Sequence, residues 1–162
     1  MEMETLKDLF IDELRDVYHA EGQLLKALPR MAKAAESPEL KTAFEKHTEE
    51  TRLQKERLEE VFELFEEKPK TKVCKGMQGI VEEGKEMMQE DMDPDVMDAA
   101  LIAAAQRAEH YEMAVYGTLR TYAQLLGNDE AAKILQEILD EEGATDKKLN
   151  KLAEKLNVQA NA

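Results

Sequence analysis

Apolar residues recur along the chain in alternating steps of three and four, the spacing of a helix that packs into a left-handed bundle. One such line runs Phe10, Leu14, Val17, Glu21, Leu24, Leu28, Met31, Ala35. A second runs Leu40, Phe44, His47, then Glu50 or Thr51, Gln54, Leu58, Val61, Phe65. A third runs Leu101, Ala105, Ala108, Glu112, Val115, Leu119, Tyr122, Leu126, and a fourth Ala131, Leu135, Ile138, Glu142, Thr145, Leu149, Leu152, Leu156. Punctuation separates the lines. Ser37-Pro38 and Asp93-Pro94 each pair a capping side chain with proline at the first helical position. Gly127-Asn128 reads as a helix end followed by a cap, and Lys68-Pro69-Lys70 closes another helix. The pattern predicts helices over 3–35, 38–66, 94–126 and 129–157. A connection over 67–93 carries a short helix at 74–91, and Pro29 is expected to kink the first helix near Leu25.

The lines repeat. Adding 91 carries Leu14 to Ala105, Glu21 to Glu112, Leu28 to Leu119, Phe44 to Leu135 and Leu58 to Leu149. Residues 10–65 and 101–156 are therefore two helical hairpins in register, joined by a link far longer than a plain up-down bundle needs. The expected fold is all-α: a ferritin-like four-helix bundle of two hairpins, 3–66 and 94–157, with a crossover over 67–93. The 162 residues suit one domain, 1–162.

Each line is interrupted at mid-height by groups that burial would penalise. They are Glu21 in the first helix, His47, Glu50 and Gln54 in the second, Glu109 and Glu112 in the third, and Glu142 with Thr145 and Asp146 in the fourth. Antiparallel hairpins bring such interruptions to one level. Six carboxylates (Glu21, Glu50, Glu109, Glu112, Glu142, Asp146) would then share a low-dielectric interior, at an uncompensated cost of several kcal/mol per ion. No Lys or Arg stands on the inner lines at that height. Two divalent cations are the simplest compensation. The predicted metal ligands are Glu21, His47, Glu50, Glu109, Glu112, Glu142 and Asp146. So much oxygen and so little nitrogen favours two iron ions, or alternatively manganese, over structural zinc.

Other residues have plainer readings. Whether Glu49 or Glu50 turns inward is open, because the repeat aligns Thr51 with Glu142. His47 also fits a core histidine bonded to a carboxylate, and Asp146 a surface acid beside Lys147 and Lys148. His19 and His110 read as flank residues, Tyr18 and Tyr116 as hydrogen-bonding support for ligands, and the methionines as packing.

Charge and composition narrow the function classes. The formal charge is −14, with 36 acidic against 22 basic residues, which argues against nucleic acid or an anionic membrane as partner. A single cysteine, Cys74, excludes an internal disulfide and a cysteine zinc site. No secretion signal and no membrane-spanning run is visible, so a cytoplasmic location is expected.

Residues 6–51, 74–84 (CKGMQGIVEEG), 98–127 and 139–149 (LDEEGATDKKL) resemble, in order, the YciF/YciE family of bacterial stress-response proteins. The resemblance implies a ferritin-like fold related to rubrerythrin, assembly as a homodimer and a role in osmotic, salt or general stress. Carried over by position, it implies a rubrerythrin-like site at Glu21, Glu50, Glu109, Glu112 and Glu142. The chain departs from that pattern: helix 2 carries His47-x-x-Glu50 in reverse order and the last helix has no Glu-x-x-His. The cysteine-rich electron-donating module of rubrerythrin is also missing, leaving the electron donor unidentified. A di-metal protein reacting with dioxygen or peroxide, or oxidising ferrous iron, is the expected function. The alternatives are an iron-storing shell and a metal-stabilised structural or interaction protein without turnover.

Overall fold

The computed structural model describes residues 2–162, which form five helices: α1 (Leu6–Ala34), α2 (Pro38–Leu64), α3 (Lys75–Gln89), α4 (Pro94–Leu125) and α5 (Asp129–Ala160). No strand occurs among the described residues. The α1–α2 and α4–α5 hairpins pack face to face, α1 on α4 and α2 on α5, and α3 lies across α1 and α4. Cross-links fix the directions. Asp98, early in α4, bonds to Glu36 and Ser37 at the end of α1, while Tyr116 further along reaches back to Glu21. Lys155 near the end of α5 pairs with Glu39 at the start of α2. Both helix pairs are thus antiparallel, and the crossover must climb the length of the bundle, as the repeat requires.

The caps explain the helix limits. α1 starts at Leu6 rather than residue 3 because Thr5 and Asp8 form a capping box: Thr5 Oγ1 accepts from Asp8 N (3.1 Å) and Asp8 Oδ2 from Thr5 N (2.9 Å). α1 continues as one helix through Pro29. Ser37 and Asp93 cap α2 and α4, each ahead of a proline. α4 closes at Gly127, whose φ of 74° suits a residue without Cβ, and Asn128 then caps α5 through Ala131 N (3.0 Å). α5 runs to Ala160, three residues beyond the predicted end.

Residues 68–74 run back along α1: Lys72 N donates to Arg15 O (3.2 Å) and Lys72 Nζ lies 2.5 Å from Asp12 Oδ2. Cys74 then caps α3, its Sγ accepting from Met77 N (3.4 Å). Gly76 follows, where a Cβ would fall 2.7 Å from Cε2 of the Tyr111 ring, so a side chain there would push the tip of that ring aside.

The core is in two apolar halves. One contains Leu24, Leu28, Phe44, Leu101, Leu149 and Met77, and the other Phe10, Leu14, Leu58, Phe62, Leu119 and Leu135. Each such side chain contributes about 1.5–3 kcal/mol by burial. Between the halves lies a buried polar layer: Glu21, His47, Thr51, Gln54, Glu109, Glu112 and Glu142.

Candidate metal centre

All four bundle helices contribute to this layer. Glu21, Glu112 and Glu142 have no exposed surface, Glu109 retains 1% and His47 4%. They fall into two groups. Ligand atoms of His47, Glu109 and Glu142 lie within 4.8 Å of one another, as do those of Glu21, Glu112 and Glu142. A cation with metal–ligand distances of about 2.0–2.4 Å spans opposite ligands up to roughly 4.8 Å apart. Each group is therefore of the right size for one ion. Glu142 belongs to both, and its two carboxylate oxygens allow it to serve two ions at once.

The hydrogen bonding leaves room for such ions. Tyr116 O–H donates to Glu21 Oε1 at 2.7 Å. His47 Nε2 lies 2.5 Å from Glu109 Oε1, and its Nδ1 lies 3.5 Å from Glu50 Oε2. Glu21 Oε2, Glu109 Oε2 and both oxygens of Glu112 and of Glu142 have no partner among the described residues. Buried carboxylate oxygens are rarely left so, and an ion is one of the few ways to satisfy several together. Six free acceptor oxygens around one imidazole suit a hard or borderline cation.

Charge crowding has its own signature. Burial, then the charges of Glu21 and Glu142, push the Glu112 carboxyl well above the usual range. Burial and the adjoining Glu109 carboxylate do the same to Glu142. Glu21 is raised too, chiefly by burial, which outweighs the neighbouring Glu112 carboxyl and the bond from Tyr116. Burial opposes a charged His47, yet Glu109 and Glu50 lift it well above an ordinary histidine. Without cations the layer holds its charge down by keeping protons, and cations would take their place.

The remaining predicted ligands stand apart from the two groups. Glu50 is at the edge, about a third exposed, with Thr145 Oγ1 donating to its Oε2 at 3.4 Å. The contact with His47 holds its carboxyl below the usual value. Glu49 points outward to Arg52 (2.6 Å). Asp146 is buried but belongs to neither group: its Oδ2 lies 3.1 Å from His110 Nε2, and its Oδ1 accepts from Gln106 Nε2 (3.4 Å). One turn beyond Glu142, it faces along α4 rather than into the layer. Tyr18, unlike Tyr116, bonds outward to Glu59 (2.8 Å). The inward positions on α2 beside His47 belong to Thr51 and Gln54, both without exposed surface.

Two cavities reach the layer from opposite sides. One of about 160 Å³ lies between α2 and α5 and is lined by His47, Glu50 and Thr145, with Lys46 and Lys148 among its other residues. A smaller apolar one, about 30 Å³, lies beneath α3 and touches Glu109. Among the described residues no helix is long and apolar enough to cross a membrane.

Comparison with known proteins places this architecture. Residues 5–162 match the family described as Domain of unknown function (DUF892). The chain is 49% identical over 154 residues to protein YciF of Escherichia coli (strain K12), covering 94% of this chain and 93% of that protein. The crystal structure of the E. coli stress protein YciF superposes with a TM-score of 0.92 at 48% identity, over 95% of this chain and 98% of that one. YcfI of Rhodopseudomonas palustris gives 0.90 at 42% identity, over 92% and 95%. A protein of Xanthomonas campestris gives 0.76 at 25%, over 95% and 94%. Near half identity along almost the whole length, with the same helical fold, the chain belongs to the DUF892 family of YciF-type proteins.

Proposed function

We propose that this protein is a stress-associated di-metal carboxylate protein whose two ions, iron or alternatively manganese, react with dioxygen or peroxide or oxidise ferrous iron. The sharing of Glu142 between two ligand-sized groups carries this reading, since one purely structural ion would need only one group. The similarity to a protein described as a stress protein supports its setting. Glu21 and Glu112 would hold one ion, His47 and Glu109 the other, and Glu142 both. A bound ferrous pair supplies two electrons to an oxidant and polarises the oxygen atoms it touches.

The chain's own residues do the rest. Tyr116 fixes the rotamer of Glu21 by its 2.7 Å bond. The apolar halves above and below exclude bulk water, and the α2–α5 cavity leaves one polar approach, past Glu50 to His47. The carboxyl protons retained in the metal-free layer leave when cations enter. Cys74 is buried as a helix cap and is engaged by Met77 N and Tyr111 rather than by the centre.

Aerobic Fe(II) oxidation by the wild type and by Glu142→Ala tests the proposal. The wild type should turn over at least tenfold faster than the variant; equal rates remove it. Metal that raises the melting temperature without any turnover would favour a stabilising role instead. Assembly as a homodimer rather than a storage shell belongs to the same proposal, and size-exclusion chromatography separates the two.

A further inference from the structure

Two buried side chains of the polar layer remain without a task. Thr51 and Gln54 are wholly enclosed, and Thr51 Oγ1, Gln54 Oε1 and Gln54 Nε2 have no hydrogen-bond partner among the described residues. Their level is fixed by neighbours. Glu50 meets Thr145 across the α2–α5 seam, and Lys55 Nζ lies 3.6 Å from where a Cβ of Gly22 would stand. Thr51 and Gln54 lie between these cross-links, at the height of Glu21 and Glu142. In the internal repeat Thr51 stands where α5 has Glu142, so at that position α2 offers a neutral hydroxyl where α5 offers a carboxylate.

Valine and leucine would fill these positions without stranding any polar atom, and burying unpaired polar groups is destabilising. Such groups persist where something absent from the bare fold engages them. What they can engage follows from chemistry. The layer is rich in acceptors: carboxylates attract cations but repel any anion that comes to sit on those cations. A charged oxygen ligand in such a place needs hydrogen-bond donors aimed at it. Tyr116 already donates to Glu21, and the His47 nitrogens face Glu109 and Glu50. The Thr51 hydroxyl and the Gln54 amide are donors within the layer with no acceptor.

Building on the two-cation reading, we infer that Thr51 and Gln54 form the receiving site for a small anionic oxygen ligand, of the hydroxide or hydroperoxide class, bound beside the cations. Both residues are positioning residues: they hold the ligand by hydrogen bonds and supply neither electrons nor a metal bond. The juxtaposition predicts that ligand affinity can be lost while metal is kept.

The test uses the full chain loaded with Co(II), with azide as the probe, followed by visible absorption. Wild type should take up two equivalents of cobalt and bind azide. Thr51→Val and Gln54→Leu should keep both equivalents yet bind azide at least tenfold more weakly, and Thr51→Ser should restore near wild-type affinity. Azide affinity within twofold of wild type in both variants at full cobalt content overturns the inference alone, as does a cobalt-loaded wild type that ignores azide. A wild type that takes up no cobalt sinks the two-cation reading and this inference with it. The chelator-treated protein gives a second readout. Thr51→Val, equal in shape, should melt at or above wild type because its hydroxyl has no partner in the fold. A fall of more than about 4 °C would mean the hydroxyl bonds within the fold and would overturn the assignment.

Discussion

Tyr116 and Glu21 join the two hairpins by a 2.7 Å hydrogen bond in which neither residue has any exposed surface. Burial, and then the charges of Glu21 and Glu112, hold the Tyr116 hydroxyl well above an ordinary phenol, so it remains a donor at any accessible pH. In Tyr116→Phe the ring packing survives and Glu21 Oε1 joins Oε2 as an unpaired buried oxygen. The expected loss is about 1–3 kcal/mol in the chelator-treated protein. Denaturant titration measures it, and an unchanged midpoint would show that the bond contributes nothing.

The pH dependence of the chelator-treated protein has a definite sign. Glu112 and Glu142 hold protons more tightly folded than unfolded, so their contribution is full below the ordinary carboxylate value of 4.5 and is lost as pH rises through their raised folded values. His47, also raised, contributes fully below 6.5 and loses its contribution as pH climbs through its folded value. Glu50 works oppositely, but only as pH falls below 4.5. The melting temperature should therefore drop by roughly 5 °C or more between about pH 5.5 and pH 8.5. Saturating divalent metal should remove the slope, because binding replaces those protons. A flat profile without metal would show that the layer does not store protons.

The helical plan was legible because its signals are local. Ser37-Pro38, Asp93-Pro94 and Gly127-Asn128 each satisfy helix-end groups with their own side chain or backbone; the first two begin α2 and α4, and the third parts α4 from α5. The acids of the layer were legible for a related reason: an acid on an apolar line conflicts with burial wherever it occurs. What periodicity leaves open is which neighbour a side chain faces. Glu50 and Thr51 differ by about 100° around α2, and Thr51 takes the inward direction while Glu50 meets the cavity between α2 and α5. Asp146 lies one turn from Glu142, close enough in angle to share its line, yet His110 and Gln106 on α4 draw it aside. Such choices rest on partners from other helices, which no single-helix pattern contains.

Asp98 provides a second bond between the hairpins, far from the metal centre. It is 2% exposed, and its two oxygens accept from Glu36 N (2.8 Å) and Ser37 N (2.9 Å). These amides lie in the turn from α1 to α2. Asp98→Ala leaves both without that acceptor and should cost about 2–3 kcal/mol. Metal stoichiometry should be unchanged. Calorimetry paired with metal analysis checks both halves, and a loss of metal without a loss of stability would contradict the assignment.

Glu66 sits at the left-handed end of α2, with φ of 58°. Its amide bonds to Glu63 O (2.9 Å) and that of Glu67 to Phe62 O (3.0 Å), the pattern that Gly127 and Asn128 repeat after α4. A side chain in that conformation costs about 1–2 kcal/mol, and the looser unfolded chain of glycine takes back about 0.4–1 kcal/mol, so Glu66→Gly should stabilise the protein by roughly 0.5–1 kcal/mol. The shift in denaturant midpoint decides it.

Glu142→Gln separates the two states of the centre by sign. In the chelator-treated protein both Glu142 oxygens lack partners and burial opposes their ionisation, so a neutral amide of the same shape relieves the crowding. The variant should melt at or above wild type, with the gain largest at the alkaline end, where the wild-type carboxyl is forced to ionise. With metal the order should reverse. Wild type gains about 4 kcal/mol at a thousandfold excess over its dissociation constant, while a variant without the shared carboxylate gains little at the same concentration. Melting curves of both proteins, with chelator and with metal, form the full comparison. A variant that metal stabilises as much as wild type would show that Glu142 is not the residue the two ions share, whatever the activity of either protein.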